Sequence, residues 1–306
     1  MGYLLILFTI VLFSTLEVTG KLIGADISPF AITLYRFLIG GIFMLPFAIR
    51  QQKEKKVKLV TKEIFKLSVP GFINVSISML FLQLAIYYGE ANISAILISS
   101  NSVFVAFFSF FMLKEKLSVY KISGLVIGII GIIIIIMNHQ VSNSEVLNAS
   151  IGIIFACIAS VSFGFYTVIS KKYIRDYGNV VTNSISFLGG SLLLAVLSLI
   201  MGFDISMDFT GKNILFILYL GIFVSGLAYL SYFAGLKKVA TVVGSSFFFL
   251  KPAIASILAY LIFHETLTSW QIMGIVIVII GVNLEVIRDV MNKRKRKKCF
   301  TRDNTN

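Results

Sequence analysis

The chain of 306 residues is 58% hydrophobic and only 13% charged, with a mean hydropathy of +0.94. Soluble domains are about 45–50% apolar and about 25% charged, so a water-soluble fold is excluded and lipid must be the solvent for much of the surface. The net charge of +13 would suggest nucleic acid on a soluble domain. Here the basic residues lie between and after apolar runs, which excludes a nucleic-acid partner and makes them topology determinants.

The first apolar run extends from Tyr3 to Leu16 and on past Glu17. No basic segment precedes it, so it reads as a retained helix rather than a cleaved signal peptide. At about 20 apolar residues per span, spans fall near 3–23, 29–49, 64–86, 92–113, 119–137, 150–170, 180–201, 213–235, 242–263 and 270–288. The connections are short apart from a basic loop at 50–63 and a basic tail from Asn292. Cys157 lies in an apolar run and Cys299 in the tail, so no disulfide is expected.

With the N-terminus inside, 23 of the 27 Lys and Arg residues fall on one side. Only Lys21 and Lys212 fall on the other, and Arg36 and Lys251 lie within spans. This alternation predicts a multi-pass protein of the cytoplasmic (cell) membrane, with an even number of spans and both termini cytoplasmic.

Shifted by 150 residues, the sequence aligns with itself. Lys21 meets Lys171, Phe37-Leu38 meets Phe187-Leu188, and Gly40 meets Gly190. Gly71 then meets Gly221, and Glu115-Lys-Leu-Ser meets Glu265-Thr-Leu-Thr. No gap is needed between these anchors. Each repeat holds five spans, an odd number, so the second copy enters the membrane from the opposite side. The predicted fold is all-α integral membrane, with ten transmembrane helices in two inverted five-helix repeats. The first repeat covers 1–149 and the second 150–291, followed by a basic tail at 292–306. Inverted repeats are a mark of secondary transporters, with the site near the midplane where the halves meet.

The segment GKLIGADISPFAITLYRFLIGGIFMLP resembles the first two helices of EamA-type members of the drug/metabolite transporter superfamily. SSNSVFVAFFSFFMLKEKLSVYKISGLVIGIIGI resembles the family's fourth and fifth helices, and FLKPAIASILAYLIFHETLTSWQIMGIVIVIIGV its ninth and tenth. Two departures are Ser102, where the family often has Pro, and Glu17, where many members carry Trp-Gly. The resemblance implies a ten-helix carrier, often an exporter of amino acids, metabolites or drugs. It also implies a cavity lined by the first, third, fourth, sixth, eighth and ninth helices, with the second helix peripheral.

A charge at mid-bilayer costs roughly 3 kcal/mol or more and generally faces a bundle interior. Glu17 shares a face with Ser14 and Lys21, and can hold a substrate ammonium or a coupling proton, or else pair with Lys21. Lys251 lies beside Pro252, which frees the carbonyl of Phe248, and suits a substrate carboxylate. Its repeat mate is Asn101. Asn74 on the third span and Tyr229 and Tyr232 on the eighth, in line with Ser225, are further candidates for substrate binding. So is Thr167, the repeat mate of Glu17. Such polar stripes also serve helix–helix hydrogen bonding in lipid. Arg36 and Pro252 read as gating or structural residues, and Glu115 and Glu265 as turn and packing elements.

No metal spacing, phosphate loop or activated serine is visible, so no cofactor, metal or catalytic residue is expected. The expected function is secondary transport, as an exporter of small metabolites such as amino acids, by alternating access at a midplane site. Transport of other solutes, drug-like or sugar-derived, is the alternative. A membrane-embedded enzyme or a channel fits less well. The expected partners are a small-molecule substrate and the lipid bilayer, with a coupling proton and a homodimer left open.

Overall fold

The computed structural model describes residues 1–23, 27–55, 59–89, 91–137, 148–207 and 210–263, with 269, 270, 272–274, 276, 277, 279–281 and 284. Among these residues every regular element is helical. In lipid this follows from the backbone, whose polar groups must be satisfied within the segment.

The first two passes are α1 (Gly2–Ile23) and α2 (Pro29–Lys55). The third combines α3 (Thr61–Gly71), a π-helical stretch Phe72–Met79 and α4 (Leu80–Tyr88). The fourth is split into α5 (Ala91–Ser99) and α6 (Asn101–Met112), and the fifth is α7 (Val119–Met137). The second half begins with α8 (Ala149–Tyr177) and α9 (Asn179–Met201). The eighth pass combines α10 (Gly211–Tyr219), a π-helical stretch Leu220–Leu227 and α11 (Ala228–Leu236). The ninth combines α12 (Thr241–Ser246), a 3₁₀ turn Phe247–Phe249 and α13 (Leu250–Phe263). Helical pieces between residues 269 and 284 supply the tenth pass.

Successive connections lie at alternate ends. At one end Gln51 Oε1 accepts a hydrogen bond from the Val180 amide at 3.0 Å, and Tyr177 hydrogen-bonds Glu63. Gly2 packs there against Lys238. At the other end the Ser28 hydroxyl donates to the Asp204 carbonyl at 2.5 Å, and Phe30 stacks on Phe203 at 4.2 Å. The Asn148 amide donates to the Tyr88 carbonyl at 2.9 Å at that same end. The first end carries Lys62, Lys66, Lys114, Lys116, Lys172, Arg175, Lys237 and Lys238. It is called the basic end below, and the opposite one the far end.

Two sequence expectations are corrected. The basic loop at 50–63 is largely helix, because α2 runs through Lys55 and α3 starts at Thr61. Arg50 pairs with Glu54 one turn on at 3.0 Å, which supports the extension. The fourth and ninth spans are not continuous helices. In the fourth, side chains in the run Ser99–Ser102 capture carbonyls of the preceding turn. Ser100 Oγ bonds Leu97 O, and Asn101 Nδ2 bonds Ile98 O, each at 2.6 Å. Such local bonds compete with the helix ladder. In the ninth, Pro252 cannot donate and the 3₁₀ turn precedes it. In the 150-residue register Ser100 maps to position 250, directly after the 3₁₀ turn Phe247–Phe249. The broken helices cross in antiparallel fashion, α5 against α13 and α6 against α12.

Glycines set the closest crossings. A Cβ on Gly71 would overlap the Ser186 carbonyl, and one on Gly190 the Gly71 carbonyl. A Cβ on Gly40 would lie 2.9 Å from the Gly221 carbonyl oxygen. Gly40·Gly221 and Gly71·Gly190 are the same contact seen from each repeat. Phe37 and Phe187, themselves repeat mates, meet edge-to-face at 4.8 Å and so mark the pseudo-two-fold axis. Near it the Ser184 hydroxyl donates to the Gly41 carbonyl at 2.9 Å. In the fifth and tenth passes Gly281 lies against Gly124 and Gly128, where a Cβ would fall 3.0 Å from the backbone of each.

Candidate functional site

Where the halves meet lies a narrow cavity, with free room of only about 20 Å³ between its side chains. Phe13 and Leu16 line it from the first pass, Met79 and Leu82 from the third, and Ile98 from the fourth. Phe163, Val224, Tyr229, Phe248 and Lys251 complete it from the sixth, eighth and ninth passes, and Arg36 joins from the second. Met79 and Val224 lie on the two π-helical stretches. π-Helical turns are rare and often sit at functional sites.

Lys251 is 2% exposed and lies ten residues into its pass, about 15 Å along the helix axis. That is half of a hydrocarbon core about 30 Å thick. The Ser14 hydroxyl reaches the Lys251 carbonyl at 3.4 Å while bonding Ile10 O at 2.8 Å. Arg36 is 1% exposed, with its guanidinium carbon 4.8 Å from the centre of the Phe37 ring. It faces the cavity, whereas the resemblance implied a peripheral second helix. The physical reason is the close Gly40·Gly221 crossing, which draws α2 against the eighth pass. The side chain of Glu17 lies outside the described residues.

The other sequence candidates divide. The Tyr229 hydroxyl donates to Asn74 Oδ1 at 3.4 Å, so these two meet at the cavity wall. Tyr232 packs against Phe248 at 5.5 Å, one layer nearer the basic end. Ser225 leaves the expected stripe and packs against Gly40. Asn101 and Thr167 are fully buried and do not line the cavity. Asn101 is taken up in the helix break described above. Pro252, also buried, lies in the first turn of α13, just after the matching 3₁₀ turn.

On the basic side of the cavity lies a layer of rings. Tyr229 contacts Phe13, Phe187 and Tyr166 at 5.1, 4.9 and 6.2 Å. Phe248 contacts Phe13 and Phe163 at 5.7 and 5.3 Å, and Tyr166 contacts Phe233 at 5.8 Å. Aromatic pairs of this kind contribute about 0.5–1.5 kcal/mol each beyond area burial. The layer closes the cavity toward that end. Sequence reasoning missed Phe13, Phe163 and Phe248, because an apolar residue facing a cavity carries no mark distinguishing it from one facing lipid.

Helical halves packed around a charged, aromatic-walled cavity are the architecture of a multi-pass membrane transporter. Comparison with known proteins agrees. The EamA-like transporter family matches residues 1–137 and again 150–286. An uncharacterized transporter of Clostridium kluyveri is 40% identical over 285 residues, covering 92% of this chain and 91% of its own. Protein PecM of Dickeya dadantii is 27% identical over 93% of this chain and 91% of its own. A crystal structure at 18% identity superposes with a TM-score of 0.78, covering 95% of this chain and 98% of its own, and shows the same fold. The chain belongs to the EamA-like transporter family.

Proposed function

We propose that the protein is a secondary carrier that exports small metabolites, such as amino acids, by alternating access at the midplane cavity. The halves 1–149 and 150–291 move as the two exchanging units. The observation that carries the reading is that two cations, Arg36 and Lys251, line one cavity with Phe13, Phe163, Tyr229 and Phe248. A carboxylate placed there gains charge-assisted hydrogen bonds, and the rings accept an apolar body. Glu17, on the same helix as Phe13 and Leu16, supplies the carboxylate for a substrate ammonium or for a coupling proton. The basic end faces the cytoplasm, in line with the positive-inside rule, so both termini lie inside a multi-pass cell-membrane protein.

Flux in proteoliposomes with a panel of amino acids, organic acids and neutral solutes tests this. Lys251→Met and Arg36→Gln are expected to cut carboxylate flux about tenfold or more, the scale of about 1.4 kcal/mol of lost binding. Glu17→Gln is expected to impair substrates bearing an ammonium group more than those without one. Carboxylate flux unchanged in both cation variants would overturn the reading. Flux of neutral solutes alone would move the assignment to the other carriers.

A further inference from the structure

On the basic side of the ring layer, a line of hydroxyls leads out along the sixth pass. Phe163, Thr167, Ser170 and Lys171 follow one another within eight residues of one helix, about 12 Å from first to last. Thr167, Ser170 and the neighbouring Tyr232 are fully buried. Tyr232 approaches Thr167, and Tyr166 approaches Ser170. These hydroxyls thus find one another inside an otherwise apolar stretch of the second half. A helix that needs only to pack against lipid and neighbouring helices has no call for hydroxyls at both positions.

The line ends in a cluster joining the two halves. Lys171 Nζ lies 3.2 Å from Glu115 Oε1 and donates to Thr241 Oγ1 at 2.5 Å. Thr241 Oγ1 donates to Glu115 Oε1 at 2.5 Å. The Thr241 amide donates to both Glu115 oxygens at 3.0 Å. Glu115 follows the fourth pass in the first half, whereas Lys171 ends the sixth pass and Thr241 starts the ninth in the second half. The pair is largely sheltered, with side chains 24% and 17% exposed.

We propose that the Glu115–Lys171–Thr241 cluster is the latch of the basic-end gate, and that the Thr167–Ser170–Tyr232 hydroxyls line the path it uncovers. The proposal rests on the alternating-access reading. It explains why polar groups stand in the closed core: they meet water or solute when the halves part. It also explains a carboxylate that bonds across the boundary between the repeats. Burial raises the Glu115 pKa, but the Lys171 charge and the Thr241 hydrogen bonds outweigh it and hold the carboxyl below its ordinary value of 4.5. The latch is therefore ionised at neutral pH.

The test is labelling of Ser170→Cys by an impermeant maleimide applied from the basic side. It uses the full chain with Cys157→Ser and Cys299→Ser. Labelling is expected to be slow in this parent, and about tenfold faster when Lys171→Met or Glu115→Gln is added. Lys171→Arg is expected to keep it slow. Lys116→Cys, on the exposed part of the same loop, should label rapidly and equally in every variant, which controls for reagent access, and Ser198→Cys, buried near the far end of the seventh pass, should stay slow in every variant, which separates gate opening from unfolding. Removing Lys171 also raises the thiol pKa nearby, so the chemistry biases against the expected gain. No acceleration in either charge variant, or equal acceleration in Lys171→Arg, would overturn the latch. Labelling needs no substrate, so a failed flux assay with a working latch removes only the transport reading. Normal flux with unresponsive labelling removes only the latch.

Discussion

Lys251 and Arg36 were visible in the sequence because a cation within an apolar run has few structural excuses. What the sequence left open was where each points. Arg36 reaches the cavity because Gly40 lets α2 approach the eighth pass, a contact 181 residues away along the chain. Glu115 was legible as a repeated residue and read as a turn element. Its bonds to Lys171 and Thr241 needed three separate segments brought together. Its ionisation gives a pH prediction. The closed cluster binds the carboxylate form, so its stabilisation is complete above 4.5 and is lost as pH falls through the lower value held in the closed state. Labelling of Ser170→Cys, normalised to Lys116→Cys, is therefore expected to stay flat between about pH 6 and about pH 8. A rise confined to acid would follow only below the ordinary glutamate range. A threefold change within the neutral window would contradict the assignment.

At the scale of helices, span count and order were readable from hydropathy alone, since each pass needs its own apolar run. The internal irregularities were not. The Ser99–Ser102 run gives local cause for the break in the fourth pass, yet serines in membrane helices usually bond back without breaking them. The π-helical stretches, Phe72–Met79 and Leu220–Leu227, have no counterpart in composition or periodicity. The glycines at the crossings were aligned by the repeat, and their partners came from the fold. Gly71→Ala would press a methyl group into the Ser186 carbonyl and force the third and seventh passes apart. Overpacking of this kind costs about 1–3 kcal/mol. A thermal-shift measurement in detergent should show a clear fall in the midpoint. Gly211→Ala, with open space around it, should leave the midpoint within error.

For the molecule as a whole, the alternation of basic loops and the 150-residue register were enough to state two inverted halves. The contacts between equivalent residues could only come from the fold. Cysteines at Ser206 and at Lys238, at the far and basic ends, are expected to react with impermeant reagent from opposite faces of a sealed vesicle. Reaction of both from one face would dismantle the topology. One pair has a special station in this design. Phe37 and Phe187 are repeat mates that touch each other, so in the alternating-access exchange proposed above, where each half takes up the other's conformation, the pair maps onto itself. Under that proposal this contact is common to both states, whereas the Glu115–Lys171 pair, whose repeat mates are Glu265 and Lys21, belongs to one state alone.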